Sequence, residues 1–210
     1  MRAWAVLFAS LAASSGCGAG GLPPDVQAVV DRSHSSRANY AVILTVEVIR
    51  DGRRTVETNA EFHQGPMHRV EVPHMRVLTN CETGAAQAYD VAAAAPVEGP
   101  DPGAATCGVA VGADRVLSGR RLEPVEGPYG RADVIELTGE DFVRRYAVTD
   151  DGIIVANEYR PRRPEVGLSL RTLAASVRRG PQDPAMFVPA SLDRAFAPPA
   201  GAPDGAPRSP

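Results

Sequence analysis

Apolar and polar residues alternate through much of the chain, and the period is two. The clearest case is residues 40–50, YAVILTVEVIR, where Tyr40, Val42, Leu44, Val46 and Val48 share one face while Thr45 and Glu47 lie on the other. Asp51-Gly52 follows, a pair that favours the tight turn of a β-hairpin. The return segment, residues 55–64, alternates again: Val56, Thr58, Ala60 and Phe62 against Glu57, Asn59, Glu61 and His63. One buried face and one wet face is the pattern of an antiparallel sheet. Gly65-Pro66 then turns into residues 67–72, which Pro73 ends. Shorter strands are predicted over 77–79, 87–91, 116–122 and 133–138, and residues 142–149 and 153–159 flank a second turn at Asp150-Asp151-Gly152. Residues 168–177, LSLRTLAASV, fit both the strand and the helix period.

Helical periodicity is scarce. After Pro23-Pro24, residues 25–32 place Val26, Val29 and Val30 at i, i+3 and i+4, one face of a short helix. So few helices cannot supply βαβ crossovers. The expected class is mainly β (α+β), a strongly curved antiparallel sheet or unclosed half-barrel with one or a few short helices.

The two ends differ from the middle. Arg2 precedes an uncharged, mostly apolar run over residues 4–13. That length suits a secretory signal and falls short of the roughly 20 residues of a membrane-spanning helix. Ser14-Ser15-Gly16 stand directly before Cys17, and a small residue before Cys is what a lipoprotein signal peptidase accepts. Two readings follow: cleavage with lipid attachment at Cys17, or ordinary cleavage nearby. The expected layout is a signal over 1–16, a linker over 17–24, a single domain over 25–196 and a disordered Pro/Ala/Gly-rich tail over 197–210. The expected location is the periplasm, with an anchor in the outer membrane.

Charge and cysteine content narrow the function. A net charge of −3 gives no reason to expect nucleic acid as a partner. All 22 basic residues are arginine, scattered and offset by nearby acids. Setting Cys17 aside leaves Cys81 and Cys107, an even pair in an exported chain, which predicts a disulfide. Unpaired thiols or metal ligands are the rival readings, but no CxxC spacing supports a metal. The bridge would tie down a loop containing four consecutive alanines and the run EGPDPG, neither of which has a period.

Catalytic patterns are missing. There is no GxSxG elbow, no HExxH pair and no phosphate-cradling GK[ST] loop. The histidines are His34, His63, His68 and His74. A hairpin could bring His63 and His68 together with Glu61 or Glu71, but the expectation is solvated strand-face histidines and no metal. Arg144-Arg145, Arg162-Arg163 and Arg178-Arg179 fit either a cationic rim round a ligand mouth or sheet edges kept from pairing by charge. No enzyme activity and no cofactor are expected.

The order of elements resembles the lipoprotein-carrier family of the bacterial periplasm (LolA, LolB and relatives). The likeness runs over residues 25–192: a helix, then strand, Asp-Gly turn and strand, then Gly65-Pro66 with Arg69, Tyr89-Asp90 after a turn, and a closing segment from Asp183 through Phe187 to Pro189. The resemblance implies an open, curved sheet with helices against its concave face. It departs at Asn80-Cys81-Glu82-Thr83-Gly84, where the family has a plain Asp-Gly turn, and in its shortage of helix. Two functions are carried forward. The first is a binding module that holds a lipid, a lipoprotein acyl chain or another hydrophobic ligand, with Val42, Leu44, Val46 and Phe62 lining the hollow. The second is a structural or interaction lipoprotein of the envelope, in which a protein is the partner and those residues are core.

Overall fold

A computed structural model describes residues 21–35, 38–97, 107–111, 116–163 and 167–196. The expected signal, Cys17 and the tail after 196 lie outside the described residues. So does the first half of the expected linker, residues 17–20.

Among the described residues, one α-helix and eleven strands follow in chain order. Helix α1 (Pro24–His34) is followed by β1 (Tyr40–Arg50), β2 (Arg53–Gln64), β3 (Met67–Val72), β4 (Met75–Asn80), β5 (Ala86–Asp90) and β6 (Ala95–Pro96). Then come β7 (Val116–Gly127), β8 (Gly130–Gly139), β9 (Phe142–Thr149), β10 (Ile154–Pro161) and β11 (Leu168–Arg179). Two 3-10 turns, Pro184–Phe187 and Pro189–Asp193, close the described chain. All the strands form a single sheet in the order β6-β5-β4-β3-β2-β1-β11-β10-β9-β8-β7, and every neighbouring pair is antiparallel. The expected curved, unclosed antiparallel sheet is what the chain forms. The topology is two meanders that run outward in opposite directions and share a central seam, β1 against β11.

Local chemistry sets the details. Asp51 and Gly52 both take positive φ (50° and 76°), the two-residue turn that fits the right-handed twist of its flanking strands. Residues 168–177, legible as helix or strand, form a strand, because β1 and β10 supply hydrogen-bond partners on both its sides. The alanine-rich stretch read as aperiodic contains β6, which pairs Ala95 with Asp90.

The sheet buries both of its faces, and different parts of the chain cover each. On one face α1 lays Val26, Val29 and Val30 on Ile135, Leu137, Tyr146 and Val148. Contact is so close that a Cβ at Gly119 on β7 would lie 2.9 Å from Leu22 and 3.1 Å from Val26. Residues 107–111 pack beside the helix, with Val109 fully buried. The Val109 amide donates to Ser33 Oγ (2.9 Å), and His34 Nε2 lies 2.8 Å from the Val109 carbonyl oxygen. A disulfide between Cys81 and Cys107 ties this segment to the β4–β5 turn.

The opposite face is covered by the C-terminal segment. Met186, Phe187 and Leu192 pack on Ala41, Ala60, Phe62 and Leu78. Beneath them sits Arg69, with no exposed surface. Its guanidinium donates to Glu71 Oε1 (2.7 Å), Ser191 Oγ (2.8 Å) and the carbonyls of Met186 (2.9 Å) and Arg194 (2.7 Å). The Phe196 amide donates back to Glu71 (3.0 Å), so one buried ion pair holds the strap down.

Candidate functional site

The face carrying α1 is the concave one. Side chains from β3, β2, β1, β11, β10 and β9 all line a single cavity of about 290 Å³. Six adjacent strands laid flat would span more than 20 Å at about 4.8 Å each, so the sheet must curl for them to meet. Ser33 of α1 and Gly108 and Ala110 of the neighbouring segment close the remaining side. Gly108 has φ +81°, and a Cβ there would stand 2.8 Å from Ser33 Oγ. A broader groove continues along the same face past Val48, Leu168 and Leu170, and Leu170 lines both spaces.

The β1–β2 hairpin decides which residues meet here. Its two-residue turn pairs Leu44 with Asn59, Val42 with Glu61 and Tyr40 with His63. Paired residues in an antiparallel ladder share a face. The polar positions of β2 therefore point inward with the apolar positions of β1. Leu44 and Val46 line the cavity, and Val42, fully buried, packs beside them. Phe62 pairs with Ala41 and faces the other way, under the C-terminal strap. The expectation that Phe62 lines the hollow with Val42, Leu44 and Val46 is corrected on this register.

The histidines are corrected with it. His63 and His68, expected on a solvated face, are 5% and 3% exposed. They face each other across the β2–β3 ladder, Nδ1 to Nδ1 at 3.4 Å, and His63 stacks on Tyr40 with ring centroids 5.2 Å apart. His68 Nε2 stands 3.8 Å from the Glu61 carboxylate. Among the described residues no group of three or more His, Cys, Asp or Glu is placed to hold a metal. Glu71, the other acid considered with these histidines, lies across the sheet with Arg69.

Enclosure governs the charge of this cluster. Desolvation pushes the Glu61 carboxyl up to about 7, although 27% of its side-chain surface remains exposed. Desolvation, helped by His63, pushes His68 down to about 3, so its imidazole is neutral. Burial also raises the Tyr40 phenol above its ordinary range.

The far wall is built differently. Arg144 on β9 has its guanidinium 5.3 Å from the centre of the Phe142 ring and 5.4 Å from that of Tyr159. Arg145, its neighbour in sequence, points out and pairs with Glu136 (2.7 Å). The Arg-Arg pairs at 144–145 and 178–179 therefore sit on interior strands, not on sheet edges. Among the described residues of the cavity walls, Asn59 Oδ1, Asn157 Oδ1 and His68 Nε2 are buried with no hydrogen-bond partner. Nothing in the sequence singles out Asn59 or Asn157, and Glu61, His68 and Arg144 enter it only as a metal group set aside and as one half of a cationic rim. For the β2 residues, the signal was present in the turn length.

Comparison with solved structures adds the fold relationship. In a complex of MucA and MucB from Pseudomonas aeruginosa, the matching chain is 13% identical, with a TM-score of 0.54, and 80% of this chain aligns to 62% of that one. An uncharacterized conserved protein from Thermus thermophilus is 14% identical, with a TM-score of 0.51, over 81% of this chain and 94% of that one. A LolA superfamily protein from Nitrosomonas europaea matches more loosely (10% identity, TM-score 0.43, 79% and 98% covered). The resemblance is one of fold. Neither a protein-family model nor a curated protein matches the chain. The disulfide fits an exported chain, since such bridges persist in oxidising compartments.

Proposed function

We propose that this protein is exported to the periplasm, held at the outer membrane by lipid on Cys17, and binds an amphipathic lipid or acyl chain in its concave face. The observation that carries the reading is the cavity of about 290 Å³ under α1, with buried polar atoms in its walls and a groove leading away along Leu170. A sheet used only as a scaffold gains stability by filling such a space with apolar side chains. Here Leu44, Val46, Val70 and Ile154 supply an apolar lining, while unpaired polar groups interrupt it. That mixture suits a ligand with one apolar and one polar part.

Native mass spectrometry of the protein purified from its own envelope tests this directly. The expected result is a bound species of lipid mass that is lost in a Leu44→Glu variant. A bare protein mass in both would overturn the binding reading.

A protein partner is the second reading, supported by β7, a long edge strand with Leu117 and Val125 half exposed. Edge strands of this kind accept an added strand from another chain. Crosslinking in the intact envelope, with a photoreactive residue at Leu117, separates the two: capture of a protein there supports the partner reading.

A further inference from the structure

The cavity's polar groups are unequal in kind, and that bears on what it binds. Glu61, Asn59 and His68 cluster on the β2–β3 wall, and Asn157 faces them from β10. Asn59 Oδ1 and Asn157 Oδ1 are acceptors without a donor, and the Glu61 carboxylate is an acceptor at its oxygens. His68, 97% buried, turns a nitrogen without a hydrogen-bond partner toward the same space. The cation on the other wall, Arg144, already stands against two aromatic rings, 5.3 Å and 5.4 Å from their centres. Buried acceptors cost free energy until a donor reaches them. A carboxylate or phosphate head would bring more acceptors to Glu61 and Asn59, and a hydroxyl would satisfy few of them.

Resting on the binding reading above, we propose that the concave cavity selects an amphipathic amine, a primary ammonium head donating to Glu61, Asn59 and Asn157 with its alkyl part along Leu44, Val46 and Leu170. An ammonium carries three N–H donors and the charge opposite to that of Glu61. The apolar side chains lie next to the acceptors along β1 and β11, so head and chain are accommodated together.

The test uses the full exported chain with Cys17→Ser, so that no detergent competes for the cavity. Decylamine, decanol and decanoate share one chain length and differ in the head. Titration calorimetry at pH 8 is expected to show decylamine at least tenfold tighter than decanol, with decanoate weakest. In Glu61→Gln the preference for decylamine over decanol should fall to within twofold, and a thermal melt as cooperative as that of wild type shows that the variant is folded. Equal affinity for decylamine and decanol, or tightest binding of decanoate, would overturn the amine assignment and leave the binding reading standing. A preference that persists in Glu61→Gln would overturn the role of Glu61. No binding of any of the three would overturn both.

Discussion

Replacing Arg69 by methionine tests how the convex face is held. The change keeps the aliphatic stem and removes the guanidinium, which is fully buried and donates to Glu71, Ser191, Met186 and Arg194. What remains is a buried carboxylate on Glu71 and several carbonyls that lose their donor. Removing one partner of a buried pair costs about 3–5 kcal/mol, mostly for the charge left behind. In a domain of this size each kcal/mol moves Tm by about 2–4 °C, so a fall of roughly 6–20 °C is expected. The double variant Arg69→Met/Glu71→Leu leaves no uncompensated charge and should be less destabilised than the single one. Thermal melts followed by circular dichroism give both values. Limited proteolysis adds a local readout, because a released strap lets trypsin reach the backbone at Arg194, whose carbonyl Arg69 holds in the wild type. A single variant within 1 kcal/mol of wild type, or a double variant worse than the single, would refute this account of the strap.

The remaining expectations concern the bridge, the cavity and the anchor. Cys81→Ser opens a loop of sequence separation 26 and should cost about 3.5 kcal/mol by loop-closure entropy, measured by urea unfolding. Glu61, raised from 4.5 to about 7, contributes stability that is complete below pH 4.5 and lost as pH rises through 7. His68, lowered from 6.5 to about 3, contributes stability that is present above pH 6.5 and lost as pH falls toward 3. Glu61→Gln should therefore flatten the decline in Tm above pH 6.5, and His68→Asn the decline below pH 4.5; between them the two effects oppose. Leu44→Glu, whose carboxylate reaches the cavity, should fold with a loss of about 2 kcal/mol, while Val42→Glu, with no route to open space, should fail to fold. Cys17→Ser should shift the protein from the membrane fraction to the soluble periplasmic one; a variant that stays in the membrane would refute lipid anchoring at Cys17.

The strands were legible because alternation and turn residues agree. Residues 142–149 were expected as a strand and form β9 with the same bounds, since a DG turn and a run of β-branched and aromatic residues coincide there. The error in the site came from parity. A two-residue turn pairs even-numbered positions of β1 with odd-numbered positions of β2, so the apolar face of one strand meets the polar face of the other. Matching apolar to apolar put Phe62 with Val42 and left Glu61 and His63 in water. Covering segments were harder to read. Val109 is buried by α1 and tethered by a disulfide, and the Arg69–Glu71 pair is buried by a strap more than a hundred residues away. Neither contact leaves a periodic trace in its own segment. Nor does Asn157, whose place in the cavity depends on the curl of six strands.

The seam between β1 and β11 ties the order of synthesis to the order of folding. Tyr40 pairs with Arg179, about 140 residues away, although the two strands sit side by side in the middle of the sheet. Each meander can form its own hairpins early, at low cost in loop closure, but the two halves cannot join until the last strand has arrived. A chain threaded through a membrane from its N-terminus would emerge with β1 waiting on one open edge. Nothing emerging before β11 can take its place in register. For such a chain the central seam closes only once the last strand has come through.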